Sequence, residues 1–265
     1  MAVLLIATAA SMVDAHESWL QPVTFLVNKP ARQIVHMTSG MGEHYPKTET
    51  AIERARITRA GVYFGAADSL PLVAGAESKT RTALTWTPTR TGVAMAWVDL
   101  GAKVLDLPDS LIDVYLDEIG ASAELRKQWT DTPSPKKWRE SYVKHAKTYV
   151  RVGPSRAATP WRASAGLDLE MIPDRDPTLL FAGDTLRVRV VYKGQPLPDF
   201  TVASFREGGS KPDFHKTDAS GSTSLVYRKS GAVLLAAVHL RRVHEPNLEW
   251  RSDFSSMTFP IRARK

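Results

Sequence analysis

His16 is the residue whose position in the sequence most clearly suggests metal binding. It directly follows Met1–Ala15, an apolar run ending in small residues that is typical of a secretory signal peptide. Cleavage between Ala15 and His16 would leave an α-amino group beside the His16 imidazole. Those two nitrogens can chelate one metal ion, and nitrogen ligands of this kind suit Cu(II) or Ni(II). The alternative interpretation is a polar histidine that follows the cleavage site and frays with the terminus.

A histidine from elsewhere in the chain would have to complete such a site. His239 lies in the apolar run AVLLAAVHL, and His244 follows five residues later, ahead of Pro246. A histidine at a strand end is more often a hydrogen-bonded core residue than a ligand, because a buried imidazole must satisfy both nitrogens. We nevertheless expect His239 or His244 to be the second ligand beside His16.

A second cluster of candidate ligands has the sequence His36-Met37-Thr-Ser-Gly-Met41-Gly-Glu-His44. Two imidazoles and two thioethers so close together form a soft ligand set that suits copper. On a strand, however, Met37 and His36 point to opposite faces, so one of them faces the core. The alternative to a copper site is therefore a strand followed by a mobile loop.

The leader and the charge indicate a compartment. A cleaved signal peptide places the product in the periplasm or outside the cell. The formal charge of +7 becomes +8 on cleavage, because Asp14 is the only charged residue removed. We interpret this charge as a surface near an anionic envelope. We expect no nucleic-acid partner, since no zinc-finger, RNP-like or helix-turn-helix pattern occurs, and no later run reaches the 18 or so apolar residues of a transmembrane helix.

Composition and motifs exclude several classes of enzyme. The chain contains no cysteine, which excludes disulfides, thiolate nucleophiles and cysteine-ligated zinc. No G-x-S-x-G elbow, P-loop, H-E-x-x-H or dinucleotide fingerprint occurs. His16-Glu17 begins the zincin pattern, but Leu20 occupies the place of the second histidine. A hydrolase whose carboxylates converge from distant strands stays an alternative.

The elements that position these residues are mostly strands. Short β-branched and aromatic segments bounded by Pro, Gly and Asn occur in both halves of the chain. In the first half they are 23–28, 32–38, 81–87 and 92–100; in the second they are 167–172, 185–192, 200–205, 222–227, 233–239 and 250–260. This pattern predicts a mainly β protein with two sandwich units of immunoglobulin-like or prealbumin-like type. We place the first unit at 16–153 and the second at 166–265, joined by a linker.

The middle of the first unit has helical periodicity. Leu111, Val114, Tyr115 and Ile119 recur at helical spacing after Pro108, and Gly120 supplies a stop. Ser122 is the predicted N-cap of a short helix that ends near Trp129. A third helix is predicted over Pro135–Lys147, with Glu140 and Lys144 paired at i,i+4. Together these predict a helical insert at about 108–147.

Several segments then point to a family. They are His16-Glu-Ser-Trp19-Leu-Gln-Pro22, Tyr115-Leu-Asp-Glu-Ile-Gly120, Arg139-Glu-Ser-Tyr142, Gly166-Leu-Asp-Leu-Glu-Met-Ile-Pro173, Tyr192-Lys-Gly-Gln-Pro196-Leu, Thr217-Asp-Ala-Ser-Gly221 and Trp250-Arg-Ser252 through Phe259. In order and spacing they resemble a bacterial periplasmic family of unknown function that is often described as similar to nickel- or cobalt-uptake components. The resemblance implies a secreted β-rich protein linked to metal handling. It implies no catalytic residues.

The leading functional hypothesis is non-catalytic binding of a transition metal (Ni, Co or Cu) or a metal complex, delivered to an inner- or outer-membrane metal transporter. A carbohydrate- or protein-binding envelope module is the alternative. The seven tryptophans favour it, because exposed aromatic rings on a sandwich can stack on sugars. Trp161, between Pro160 and Arg162, is the tryptophan that we expect to be most exposed.

Overall fold

The computed structural model describes residues 16–64, 69–154 and 160–264. The predicted signal peptide therefore lies outside the described residues. Strands dominate, as the sequence predicts. They are β1 (Glu17–Pro22), β2 (Leu26–Val27), β3 (Gln33–Gly40), β4 (Thr50–Ala51), β5 (Ile57–Phe64), β6 (Ser69–Leu70), β7 (Val73–Glu77), β8 (Thr82–Trp86), β9 (Gly92–Leu107), β10 (Trp138–Val152), β11 (Leu169–Pro173), β12 (Thr185–Tyr192), β13 (Gln195–Pro196), β14 (Thr201–Arg206), β15 (Asp213–Lys216), β16 (Ser222–Val226), β17 (Gly231–Glu245) and β18 (Leu248–Ile261).

The strands form three sheets. A five-stranded sheet has the order β1-β3-β8-β7, with β4 paired to β3. A central sheet has the order β15-β14-β17-β18-β10-β9-β5-β6, with β2 paired to β10. A four-stranded sheet contains β11, β12 and β13, with β16 also paired to β12. The central sheet therefore takes strands from both halves of the chain.

Two cores lie on opposite faces of the central sheet. One core contains Leu20, Val35 and Leu84 of the five-stranded sheet packed with alternate residues of β9 and β10 such as Val98 and Val150. The other contains residues of the four-stranded sheet packed with the intervening residues of the same central strands. Because side chains alternate between the faces of a strand, one sheet serves two sandwiches. The fold is mainly β with sandwich packing, which confirms the predicted class.

The two halves of the chain are joined by parallel pairing of β10 with β18, from Glu140 opposite Trp250 to Thr148 opposite Thr258. β10 also pairs antiparallel with β9, and β18 with β17. These four long strands form the middle of the central sheet. The boundary between two sandwich units near residues 154–165 stays a prediction, and residues 155–159 lie outside the described part of the chain.

Two of the three predicted helices are confirmed. Helix α1 spans Asp109–Glu118, and α2 spans Ala123–Thr130 with the Ser122 hydroxyl accepting a hydrogen bond from the Leu125 backbone N–H. The 3₁₀ turns are Gly42–His44, Arg54–Arg56, Pro160–Arg162 and Pro177–Leu179. Within the described residues, no helix is long and apolar enough to cross a membrane.

The third predicted helix, Pro135–Lys147, is wrong, because this segment enters strand β10 at Trp138. Glu140, Lys144 and Lys147 have the spacing of a solvated helix face, yet all three are buried. Lys147 Nζ donates to Glu170 Oε1 at 2.7 Å, and neither side chain is exposed. Specific partners thus let a strand bury charges that the sequence pattern assigns to solvent. The helical insert ends at Thr130 and does not continue to residue 147.

The seven tryptophans all lie in the interior, since none is more than 8% exposed. Trp161, predicted to be exposed, is 7% exposed, and the Arg162 guanidinium lies 4.6 Å from its ring centroid. Trp138 and Trp250 stack at 4.5 Å within a third apolar cluster, where α1 and α2 pack on the end of the central sheet. The prediction of an exposed Trp161 is therefore wrong, because side chains of the core cover the ring.

Candidate functional site

A cavity of about 50 Å³ lies where β1 begins and α1 ends. Its lining combines one imidazole, one thioether and three carboxylates with apolar neighbours; the residues are His16, Glu17, Met41, Gly42, Glu43, Glu118, Ile119, Phe205 and Pro212. We call this cavity the His16 pocket. It brings together His16 and Met41, which the sequence assigns to two separate candidate clusters.

Pairing of β1 with β3 explains why these residues meet. Glu17 lies opposite Gly40, so the start of β1 is adjacent to the loop that follows β3 and carries Met41 and Glu43. Gly42 fits closely against Phe205 of β14, because a Cβ at position 42 would lie 2.5 Å from that ring. Glu118, the last residue of α1, comes from the helical insert.

Lys144 holds the backbone beside the pocket. Its ammonium donates to the carbonyl oxygen of His16 at 2.5 Å. The side chain is 2% exposed and lies over the rings of Tyr142 and Phe254, at 5.2 and 5.0 Å from their centroids. A buried cation packed between aromatic faces is stabilised by their quadrupoles. Through this hydrogen bond, Lys144 holds the backbone at the start of β1 in place.

Burial, and after it repulsion from a neighbouring carboxylate, raises the pKa values of Glu17 and Glu118 in the His16 pocket. Burial raises the pKa of Glu17 to about 7; the Lys144 charge opposes this rise, and the Glu118 charge adds to it. Burial and the nearby Glu43 raise the pKa of Glu118 as well. A cation placed beside Glu17 and Glu118 would favour their ionised forms.

The other predicted metal ligands lie elsewhere. His36 is on β3 between Gln21 and Ala83. His44 Nδ1 lies 2.6 Å from Glu49 Oε1. His244 lies near the end of β17 in a shallow cavity with Leu125. Within residues 16–64, 69–154 and 160–264, no three His, Asp or Glu side chains form a group that could hold a metal ion.

His239 has a different environment from the one predicted for a ligand. Its Nδ1 accepts a hydrogen bond from Arg241 Nη1 at 2.9 Å, and its ring contacts Tyr192 and Phe200. Burial and the Arg241 charge lower the pKa of His239 to about 4, so the imidazole is neutral at pH 7.

A second polar cluster lies on the central sheet, and sequence reasoning missed it. His145 Nδ1 lies 2.9 Å from Asp99 Oδ1, and its Nε2 lies 3.6 Å from Asp253 Oδ1. Arg241 Nη1 donates to the other oxygen of Asp253 at 2.8 Å. The four residues come from four adjacent strands, β9, β10, β18 and β17, so no local pattern in the sequence joins them.

This cluster contains the residue types of a hydrolase triad but differs in protonation. Ser255 lies opposite His145 in the pairing of β10 with β18, and its hydroxyl is buried. Burial would lower the pKa of His145, but the flanking Asp253 and Asp99 outweigh it and raise the pKa to about 9. An imidazole that is protonated at neutral pH cannot accept the serine proton as a general base. We therefore interpret the cluster as a structural ion network.

Comparisons with solved structures find remote similarity. The D0–D1 domain of intimin is 12% identical, with 91% of this chain and 96% of that chain covered and a TM-score of 0.22. FdeC, an Escherichia coli adhesin, is 11% identical over 95% of this chain and 64% of its own, with a TM-score of 0.22. The mouse nectin-like molecule 4 ectodomain is 11% identical over 94% and 65%, also with a TM-score of 0.22. Similarity at this level carries no argument about function.

Sequence comparison gives a clear family. No curated protein sequence is significantly similar to the chain. The profile of one family, however, matches residues 13–241, which include both confirmed helices and most of the strands. This confirms the resemblance to a family of unknown function that the sequence segments indicate. The chain belongs to the family described as Domain of unknown function (DUF4198).

Proposed function

We propose that this protein is a non-catalytic binding protein of the bacterial periplasm, and that the His16 pocket binds a transition-metal ion. The composition of the pocket carries the proposal: an imidazole, a thioether and three carboxylates line one cavity at the start of β1. Imidazole and thioether ligands suit Cu, Ni and Co better than Mg or Ca. The proposed secondary ligands are Met41 and one of the pocket carboxylates, in place of the predicted His239 and His244, because no three His, Asp or Glu side chains of the described residues form a metal-binding group.

The charge distribution supports a cationic ligand. Glu17, Glu43 and Glu118 line the pocket, and Lys144, the neighbouring cation, is engaged with the His16 carbonyl and two aromatic rings. Burial, and after it the charge of a neighbouring carboxylate, raises the pKa of Glu17 and Glu118, and a bound cation would favour the ionised form of both. An ion that binds here would also take the α-amine of a processed His16 as a ligand, because that amine lies beside the His16 imidazole.

The periplasmic location and the transporter partner are inferred from the sequence. The apolar leader favours export with cleavage before His16. The family resemblance favours delivery of the ion to a membrane metal transporter. The sugar-stacking alternative has lost its support, because it requires exposed tryptophan faces and all seven tryptophans are buried.

The test is a metal titration by isothermal calorimetry on processed protein whose N-terminal His16 is verified by mass. Ni(II), Co(II) and Cu(II) are titrated separately into wild type and into His16→Ala, Met41→Leu and a form with one glycine added ahead of His16. We expect one ion per chain, a loss of at least tenfold in affinity for His16→Ala, and a comparable loss for the extended form.

Two control variants locate the site. His244→Ala and His215→Ala each remove an imidazole from β17 and β15, away from the lining of the pocket. Both should bind as wild type does. Equal affinity of wild type and His16→Ala would refute the pocket assignment, and a loss confined to His244→Ala would move the site to β17.

A further inference from the structure

The outer face of the five-stranded sheet carries an exposed row of aliphatic side chains. The Val23 backbone N–H donates to the Ile34 carbonyl at 3.1 Å. Ile34 and Val73 both lie opposite Thr85, on its two sides. Val23, Ile34 and Val73 are 65%, 39% and 55% exposed. Three solvent-facing aliphatics and the half-buried Thr85 thus form one transverse row across four neighbouring chain segments, and exposed apolar patches mark interaction surfaces.

The residues beside this row are small or uncharged at neutral pH. Gln21, His36 and Ala83 form the next transverse row and are half-buried. Burial and the nearby Arg81 charge lower the pKa of His36, so its imidazole is neutral at pH 7. The alternate residues Val35 and Leu84 face the core. The outer face therefore carries no charge at its centre.

Basic residues surround the face. Arg32 precedes β3 by one residue and Arg81 precedes β8 by one, and antiparallel pairing places these two starts at opposite ends of the face. Lys29 and Lys79 lie in the adjoining turns. All four are exposed, and among the described residues none of them makes an ion pair with an acidic side chain. Glu77, at the end of β7, is a nearby acidic residue, and it accepts a hydrogen bond from the Arg54 backbone.

We propose that this face, which we call the basic-rimmed face, docks the protein on the surface of an anionic phospholipid bilayer. The aliphatic row would enter the interface between the lipid headgroups and the acyl chains. The four cations would contact lipid phosphates, and each cation strengthens binding to an anionic surface. A second copy of the chain is a poorer occupant, because a two-fold contact would place like charges of the two rims together.

The experiment is flotation of the processed full chain with vesicles, in EDTA so that no metal ion can bridge protein and lipid. Vesicles of phosphatidylcholine with about 30% phosphatidylglycerol, which have a negative surface potential, are compared with vesicles of phosphatidylcholine alone. Variants Arg81→Glu and Ile34→Ser test the rim and the row. Arg189→Glu and Val226→Ser are matched controls, since both side chains are exposed on the four-stranded sheet.

We expect binding to the anionic vesicles only, a decrease of the partition coefficient of roughly fivefold or more for Arg81→Glu and of about tenfold for Ile34→Ser, and wild-type binding by both controls. Circular dichroism verifies that each variant is folded. No binding to anionic vesicles, or equal losses in the control variants, would overturn the proposal. A concentration-dependent dimer in light scattering that Ile34→Ser abolishes would assign the face to a second copy instead.

Discussion

The buried pair of Lys147 and Glu170 offers the sharpest test of how this fold is held together. Lys147 Nζ donates to Glu170 Oε1 at 2.7 Å, and the carboxylate also accepts from the Ala165 backbone N–H at 2.7 Å and the Ser164 hydroxyl at 2.5 Å. The pair links β10 to β11 and to the segment that precedes β11. Glu170→Gln keeps the shape of the side chain and removes its charge, so Lys147 keeps a buried ammonium without a counter-ion.

The expected loss follows from the burial of both groups. Breaking a fully buried pair from one side costs about 3–5 kcal/mol, because an uncompensated charge remains in the interior. With a urea m-value of about 2 kcal/mol/M, the unfolding midpoint should fall by about 1.5–2.5 M. Replacing both partners, as in Lys147→Met with Glu170→Leu, should recover much of this loss since no charge is left buried.

The assay is equilibrium urea unfolding followed by tryptophan fluorescence, which the seven buried tryptophans make sensitive. Asp168→Asn is the matched control: its partner Lys193 lies at 3.8 Å and both side chains are more than half exposed. Loss of such a solvent-screened pair should lower the free energy of unfolding by less than about 1 kcal/mol.

The pH dependence gives a second readout. Burial lowers the pKa of Lys147 even in the wild type, where Glu170 opposes the shift. Without Glu170, the pKa of Lys147 in the folded state falls further below its unfolded value. The unfolded state then binds more protons, so the deficit of Glu170→Gln relative to wild type should shrink as the pH rises from 7 toward 10. A loss below about 1 kcal/mol at pH 7, or a deficit that grows with pH, would refute the reasoning.

Three further predictions test other parts of the structure. His145, with a pKa raised to about 9, should remain protonated to that pH in NMR titrations; its contribution to stability is complete below pH 6.5 and is lost as the pH rises through 9, and a midpoint near 6.5 would contradict the ion network. Ser122→Ala should reduce stability by about 1 kcal/mol in urea unfolding, because it removes the N-cap bond to α2. Gly42→Ala should cost about 1–3 kcal/mol, since the new methyl group meets the Phe205 ring; Gly42→Ala with Phe205→Leu should recover part of it, and no recovery would locate the strain elsewhere.

The strand pattern was predictable because it depends on local alternation. Leu186, Val188 and Val190 alternate with outward-facing residues, and β12 forms there as expected. Local signals also predict α1, from its apolar periodicity, and the start of α2, from the Ser122 cap. The failure at β10 has a physical cause: its charged residues are buried by partners distant in sequence, such as Glu170 for Lys147. Local pattern alone then favours a solvated helix.

The candidate site, too, was predictable only in part. The sequence singles out His16 and Met41 by residue type, but their shared pocket depends on the pairing of β1 with β3 and on Glu118 from α1. Asp99, His145 and Asp253 carry no local signal, because they meet only across three strands of the central sheet.

By itself, the sequence determined the mainly β class, the family, the first two helices and which residue types are candidate metal ligands, because each depends on residue type or on spacing within a few turns or strands. The tertiary structure decided which of these residues meet, which charges are buried and which aromatic rings reach solvent. Those properties depend on contacts between residues as far apart as Lys144 and His16, and only the packing of the sheets brings such residues together.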